Sequence, residues 1–94
     1  MEIRRTEQAD LDLIEIWVFI ARHSIQDADR FIDRIEERYL LLLDYPHLGP
    51  EKPNLGEGVR VLVEGNYYIF YRVSDDLIEV LRIIRASRDI QALF

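Results

Sequence analysis

The sequence predicts an α+β fold, in which a short N-terminal strand and an αα-hairpin pack on one face of a small antiparallel β-sheet. Two observations lead to this prediction. Apolar residues recur at three- and four-residue spacing through the first half of the chain, and alternating apolar stretches separated by short turns follow residue 58. Helices followed by strands are typical of α+β proteins. The expected element order is β-α-α-β-β-β.

The first helix is expected to follow a short edge strand at residues 2–5. Thr6 is a suitable N-cap, and Glu7 places a negative charge in the first turn, where the helix dipole favours it. The helix is expected to end near His23. Its apolar stripe consists of Ala9, Leu13, Ile16, Trp17 and Ile20.

The second helix is expected to begin after Ser24, which lies three residues before Asp27 in an approximate capping box. Tyr45-Pro46 ends it, because proline cannot continue a helix. The two helices therefore form an αα-hairpin with a tight turn. The apolar stripe of the second helix consists of Ala28, Phe31, Ile32, Ile35, Tyr39, Leu42 and Leu43.

Three strands are expected after a loop at residues 47–58 that is rich in proline and glycine. The strand signals cover residues 59–63, 67–73 and 77–84, and the short connections between them are typical of a β-meander. Side chains alternate between the faces of a strand. One face of the middle strand should carry Tyr67, Ile69, Tyr71 and Val73, and the other Tyr68, Phe70 and Arg72.

Length and composition restrict the possible functions. The 94 residues correspond to one domain, 1–94. Without cysteine the chain has no disulfides, and without a long apolar run it has neither a signal peptide nor a membrane span, so we expect a soluble cytoplasmic protein. The net charge of −6 argues against a protein that binds nucleic acid directly on its own.

No cofactor or metal site is expected. His23 and His47 lack the spacing of a zinc motif, and the acidic residues are spread as solvated helix surfaces usually are. Five arginines of the second half, in contrast, could share one surface that binds phosphate or acidic protein, or could be ordinary solvated side chains. They are Arg60, Arg72, Arg82, Arg85 and Arg88.

Two aromatic residues leave alternatives open. Trp17 belongs to the apolar stripe of the first helix, and it either lies in the core or lines a groove for a partner helix. The last five residues end in Phe94, and they form either a final docked turn or an anchor that reaches another protein.

Several motifs, in this order, resemble the ParE branch of the ParE/RelE toxin superfamily. The helix segments at 9–17 and 28–36 look like the first two helices of that family, and Tyr45-Pro46-His47-Leu48-Gly49 looks like the loop that follows them. Gly58-Val59-Arg60 and Tyr71-Arg72-Val73 match the meander, and the tail at 85–94 completes the resemblance.

The superfamily contains both messenger RNA nucleases of RelE type and gyrase poisons of ParE type. Alignment with the nucleases puts Tyr68 where they carry a key arginine, and Arg85 near their terminal catalytic side chain. Arginine stays protonated and cannot accept a proton. Arg60 alone matches the nuclease pattern. The resemblance therefore implies a non-enzymatic toxin of a type II toxin–antitoxin system that poisons DNA gyrase by protein–protein binding.

The resemblance also implies a ParD-like antitoxin, whose disordered segment folds along the toxin in a hetero-oligomeric complex. We assign two groups of partner-binding residues on this basis. The group expected to contact the target is Arg60, Tyr68, Arg82, Arg85, Arg88, Leu93 and Phe94. The group expected to contact the antitoxin is Trp17, Ile20, Phe31 and Tyr39.

Two alternatives remain at this point. Arg60 and Arg72, together with the shared fold, are compatible with a ribosome-dependent endoribonuclease of RelE type, which would produce new codon-positioned 5′ ends in messenger RNA. The chain could also be a non-toxic module that only binds its antitoxin, in which case expression without antitoxin would leave growth normal.

Overall fold

The structure, a computed structural model, describes all residues from 1 to 94 and confirms the α+β fold. Helices α1 and α2 form the expected hairpin, and four strands form one sheet in the order β1-β4-β3-β2. A single helical turn, α3, follows the last strand. The elements are β1 (Glu2–Arg5), α1 (Glu7–Ala21), α2 (Ile25–Asp44), β2 (Val59–Glu64), β3 (Tyr67–Ser74), β4 (Leu77–Arg85) and α3 (Ile90–Leu93).

Local capping and turn signals account for these bounds. The Thr6 hydroxyl accepts a hydrogen bond from the Ala9 N–H at 3.0 Å, and the Ser24 hydroxyl accepts one from the Asp27 N–H at 3.1 Å. The turn between β2 and β3 begins at Gly65, whose φ of 56° suits a residue without a Cβ. The predicted helices and strands therefore begin within one residue of the observed positions.

The sheet is mixed, which corrects the expectation of an antiparallel sheet in one respect. Strands β2, β3 and β4 are antiparallel as expected, but β1 pairs with β4 in parallel, with Ile3 opposite Ile78. Tight turns impose antiparallel pairing on the meander. The direction of β1 depends instead on a strand more than 70 residues away, which no local pattern encodes.

The main core lies between the helical hairpin and the sheet. A bulge at Leu81 shifts the register of β4 against β3, so both Val80 and Ile83 face the helices. The buried residues of this core are Ala9, Phe31, Ile35, Tyr39, Leu42, Leu62, Ile69, Tyr71, Ile78, Val80 and Ile83.

None of the helices combines the length and apolarity that crossing a membrane requires.

A second apolar cluster lies on the opposite face of the sheet, where α3 covers it. Ile90 and Leu93 pack against this cluster, and the Phe94 ring meets the Phe70 ring edge-on with centroids 4.9 Å apart. Of the two alternatives for the end of the chain, the structure shows the docked turn. The buried members of the cluster are Val59, Val61, Phe70 and Ile84.

Candidate functional site

Helix α1 carries more apolar residues than the core accepts. Its stripe faces the sheet and α2, yet four large apolar side chains on the remaining surface are exposed. Their spacing places them on the outer side of the helix and toward its end. They are Leu11, Ile14, Val18 and Phe19, and Ile14 lines grooves on both flanks of the helix.

The first groove, with a volume of about 480 Å³, lies between α1 and α2, and we call it the hairpin groove. Leu13, Ile14 and Ile32 provide its apolar lining, and charged side chains stand at its rim. The Tyr39 side chain also lines it, and its buried hydroxyl has no hydrogen-bond partner. Burial raises the pKa of Tyr39 from 10.0 to about 12, because the ionised phenolate would lose its hydration.

The second groove depends on how α1 covers the free edge of β4. Strand β1 pairs only with Leu77–Val80, so beyond this point the edge of β4 that faces away from β3 has no strand partner. Thr6, the N-cap of α1, and Asp12, within α1, take the place of this partner. The Thr6 hydroxyl donates to the Leu81 carbonyl at 2.8 Å, and the Asp12 carboxylate accepts the Ile83 N–H at 3.0 Å. Side chains of α1 thereby satisfy a sheet edge that would otherwise be open.

Asp12 also forms an ion pair with Arg82. Two guanidinium nitrogens of Arg82 donate to the two carboxylate oxygens of Asp12 at 2.9 and 3.0 Å, and a third donates to the Leu93 carbonyl at 2.7 Å. Burial alone would raise the pKa of Asp12, but hydrogen bonds from Arg82, Gln8 and the Ile83 N–H lower it below the usual aspartate value. Arg82 therefore joins α1, β4 and α3.

The groove beside this ion pair has a volume of about 600 Å³ and lies between α1 and the end of β4. Three exposed arginines, Arg22, Arg85 and Arg88, line it together with Val18 and Phe19. The Arg85 guanidinium lies 5.1 Å from the centre of the Phe19 ring, within the range of a cation–π contact. We call it the arginine groove; it offers positive charge next to exposed apolar surface.

The seven residues assigned to the target separate into three places. Arg82, Arg85, Arg88 and Leu93 line the arginine groove. Tyr68 and Phe94 lie on the other face of the sheet, where each ring contacts Phe70.

Arg60, the seventh of these residues, lies in the edge strand β2. Its guanidinium donates to the carbonyls of Gly49 and His47 at 2.8 and 3.3 Å, and it pairs with Glu51. The loop after α2 is held further because the Gly49 N–H donates to the Tyr71 hydroxyl at 2.9 Å. Arg60 therefore fixes this loop.

The four residues assigned to the antitoxin do not form one surface either. Phe31 is 2% exposed and packs against the Tyr67 ring, with centroids 4.8 Å apart, so it offers no free surface. Trp17 and Ile20 are half-buried, and the Trp17 N–H donates to Asp29 at 3.0 Å. Tyr39 alone lines the hairpin groove.

Sequence reasoning missed four residues in and just after α1 that line the arginine groove, one of which, Ile14, also lines the hairpin groove. Periodicity predicts only the stripe of the helix that faces the core, and Asp12, Ile14, Phe19 and Arg22 lie outside that stripe. The available signal was the excess of large apolar residues outside this stripe. A core-facing helix needs about three apolar positions in seven, and α1 has more.

Comparison with known proteins agrees with this architecture. A family model described as the ParE toxin of the type II toxin–antitoxin system parDE matches residues 3–90. Toxin ParE1 of Caulobacter vibrioides is 26% identical over 90 residues, which cover 95% of this chain and 93% of that protein.

Solved structures show the same fold. A chain of the chromosomal ParDE toxin–antitoxin system from P. aeruginosa has a TM-score of 0.75 and 26% identity, over 93% of this chain and 97% of that one. A chain of the E. coli DinJ–YafQ complex has a TM-score of 0.52 and 22% identity, over 99% of this chain and 97% of that one, a likeness of fold alone. With the family model matching nearly its whole length, this chain belongs to the ParE toxin family of type II toxin–antitoxin systems.

Proposed function

We propose that this ParE family toxin acts by binding DNA gyrase and that it catalyses no reaction itself. The arginine groove is the observation that supports this proposal, since it combines exposed arginines with exposed apolar side chains, as protein-binding surfaces do. Gyrase as the target would place the toxin's action in the cytoplasm.

The side chains aligned with nuclease groups also support a non-enzymatic mode of action. Arg85 lies over Phe19, and a guanidinium offers hydrogen-bond donors but no acceptor, so this side chain provides no base for an RNA hydroxyl. Tyr68 packs edge-on against Phe70, with ring centroids 5.9 Å apart. Arg60 and Arg72, which suggested the nuclease alternative, both donate to backbone carbonyls of the long loop.

The test of this function is a supercoiling assay with purified toxin, gyrase and plasmid. We expect loss of supercoiling or accumulation of cleaved DNA in proportion to toxin. Folded toxin that leaves gyrase unaffected at stoichiometric excess would contradict the proposal. Primer extension on messenger RNA after induction is the parallel control, because new codon-positioned 5′ ends would point to RelE-type cleavage instead.

We further propose that the ParD-like antitoxin inserts a folding segment into the hairpin groove to form the hetero-oligomeric complex. The groove has an apolar lining, and Ile14 at its margin is 60% exposed in the isolated chain. Covering this surface would stabilise the complex through the hydrophobic effect and offset the ordering of the antitoxin segment.

The substitution Ile14→Asp tests this assignment. A carboxylate at the margin of an apolar interface loses hydration on binding, so we expect antitoxin affinity to fall at least about tenfold in calorimetric titration. Because Ile14 lines both grooves, Phe19→Asp is measured beside it; Phe19 lines only the arginine groove, so this change should leave antitoxin affinity unaltered. Leu40→Asp is the matched control, since Leu40 is 63% exposed on α2 and lines neither groove. Equal affinities of the Ile14→Asp and Leu40→Asp variants would show that the antitoxin binds elsewhere.

A further inference from the structure

We propose that the arginine groove binds an acidic segment of the toxin's protein target, anchored by apolar side chains. The identity of that target rests on the function proposed above. The chemistry of the segment, in contrast, follows from the groove itself.

The distribution of ion pairs separates these arginines from the others. Seven of the eleven arginines form salt bridges within the chain, among them Arg34 and Arg38, which share Glu64. Four form none, and three of these four, Arg22, Arg85 and Arg88, line this single groove. Acidic side chains outnumber basic ones in this chain, so unpaired arginines collected in one place are available for an external partner.

The local charge balance favours an acidic partner. The lining contains the carboxylates of Asp12 and Glu15 and four arginines. Arg82 and Asp12 satisfy each other, which leaves Glu15 against three free guanidinium groups. The groove thus carries an excess of two positive charges in a chain whose net charge is −6. A carboxylate-bearing segment would be attracted to this site and repelled by most of the remaining surface.

The apolar lining of the groove supports the other part of the proposal, that apolar side chains anchor the acidic segment. Val18 and Phe19 are exposed within the groove, beside the half-buried Leu93. In the isolated chain the Arg85 guanidinium lies over the Phe19 ring, a contact that favours this position of the cation before a partner arrives. A guanidinium over an aromatic face keeps its N–H groups free for bidentate pairing with a carboxylate. Leucine-like side chains between the carboxylates would cover the exposed rings and methyl groups.

Nucleic acid fits this groove less well. Proteins bind the DNA backbone by neutralising several phosphates at once, about six to ten in a strongly salt-dependent complex, and the groove has three free arginines. Its neighbouring Glu15 and the charge of the whole chain would repel a polyanion. A short acidic polypeptide needs fewer cations and gains from the apolar surface.

The proposal can be tested with a short fluorescein-labelled peptide in which glutamates alternate with leucines. Fluorescence anisotropy should show binding to the full-length toxin that weakens as salt is added. The same peptide with glutamines in place of glutamates, and a single-stranded DNA oligonucleotide of equal charge, should each bind the toxin at least about tenfold more weakly. The Arg85→Ala/Arg88→Ala variant should bind the original peptide at least about tenfold more weakly than the parent toxin does. Arg30→Ala is the matched control, because Arg30 is an exposed arginine of α2 outside the groove.

Equal binding of the glutamine peptide, tighter binding of the oligonucleotide, or undiminished binding to the double variant would overturn the proposal.

The supercoiling assay separates this inference from the proposed function. Peptide binding without any effect of wild-type toxin on gyrase would refute the gyrase target alone. Gyrase inhibition that persists in the double variant would refute the groove as the target-binding surface. If the peptide competes with the antitoxin and leaves gyrase inhibition unchanged, the groove belongs to the antitoxin and the proposal fails.

Discussion

At the residue scale, Asp12 accepts a backbone hydrogen bond that a neighbouring strand would otherwise accept at the free edge of β4. It is 5% exposed, and its carboxylate accepts hydrogen bonds from the Ile83 N–H, Gln8 and Arg82. Asp12→Asn keeps the shape but leaves Arg82 without its counter-ion. Breaking a fully buried pair costs about 3 to 5 kcal/mol; because Arg82 retains 21% exposure, we expect a loss of about 2 kcal/mol in urea unfolding. Asp10→Asn, which breaks an exposed pair with Arg5, should cost less than about 1 kcal/mol.

The same carboxylate predicts a dependence of stability on acid. The pKa of Asp12 is lower in the folded chain than its ordinary value of 3.8, so the unfolded chain binds a proton first as the pH falls. The stabilisation is therefore fully present above about pH 4 and is lost as the pH falls through the folded pKa. Asp12→Asn should lose less stability over this range. Parallel acid unfolding curves for the two proteins would contradict this explanation.

Tyr39 predicts the opposite dependence, on alkali. Its folded pKa of about 12 lies above the ordinary 10.0. The neutral side chain therefore stabilises the folded protein fully below pH 10, and this stabilisation is lost as the pH rises toward 12. Tyr39→Phe removes this loss, worth about 3 kcal/mol, and also removes a buried hydroxyl without a partner, which should add about 1 kcal/mol near neutral pH. Urea unfolding of both proteins near neutral pH and near pH 12 measures the difference. Burial also raises the pKa of Tyr71, but this contribution is the same in both proteins and cancels.

At the element scale, the long loop after α2 is held by close packing against β2. A Cβ added to Gly49 would collide with the Val61 carbonyl and press on the Tyr71 ring, and both belong to rigid parts of the sheet. Gly49→Ala should therefore destabilise the fold by about 2 kcal/mol or more, measured by thermal and urea unfolding. Asn54→Ala, an exposed change in the same loop, should stay within about 0.5 kcal/mol of the parent. A stable Gly49→Ala protein would show that the loop can move away from β2.

The elements themselves were largely predictable because their signals are local. The Thr6 and Ser24 caps, the proline after α2 and the Gly65 turn each act within a few residues, and the observed bounds follow them. The alternation of Ile69, Phe70 and Tyr71 likewise placed both apolar faces of β3 correctly. No local signal distinguished a docked α3 from a segment that reaches another protein, because the contacts of α3 are with the far face of the sheet.

At the scale of the whole molecule, toxicity should depend on surface charge in one place. Removing Arg85 and Arg88 takes away two exposed guanidinium groups outside ion pairs and one exposed cation–π contact, so Arg85→Ala/Arg88→Ala should weaken growth inhibition on induction and leave the unfolding free energy within about 1 kcal/mol. Growth curves with matched expression measure the first effect, and urea unfolding measures the second. Arg30→Ala should remain as toxic as the parent. Full toxicity of the double variant would exclude this groove from target binding.

The sequence by itself determined the α+β class, the starts of the two long helices and of the meander strands, and the family, because capping, periodicity and motif order are properties of neighbouring residues. Only the tertiary structure decided the parallel pairing of β1 with β4 and the pairing of Asp12 with Arg82, which are 70 residues apart. It also decided that Arg22, directly after α1, would join Arg85 and Arg88 in one groove. These contacts depend on how α1 crosses the free edge of β4, a geometry set by packing of the whole core and by no single segment.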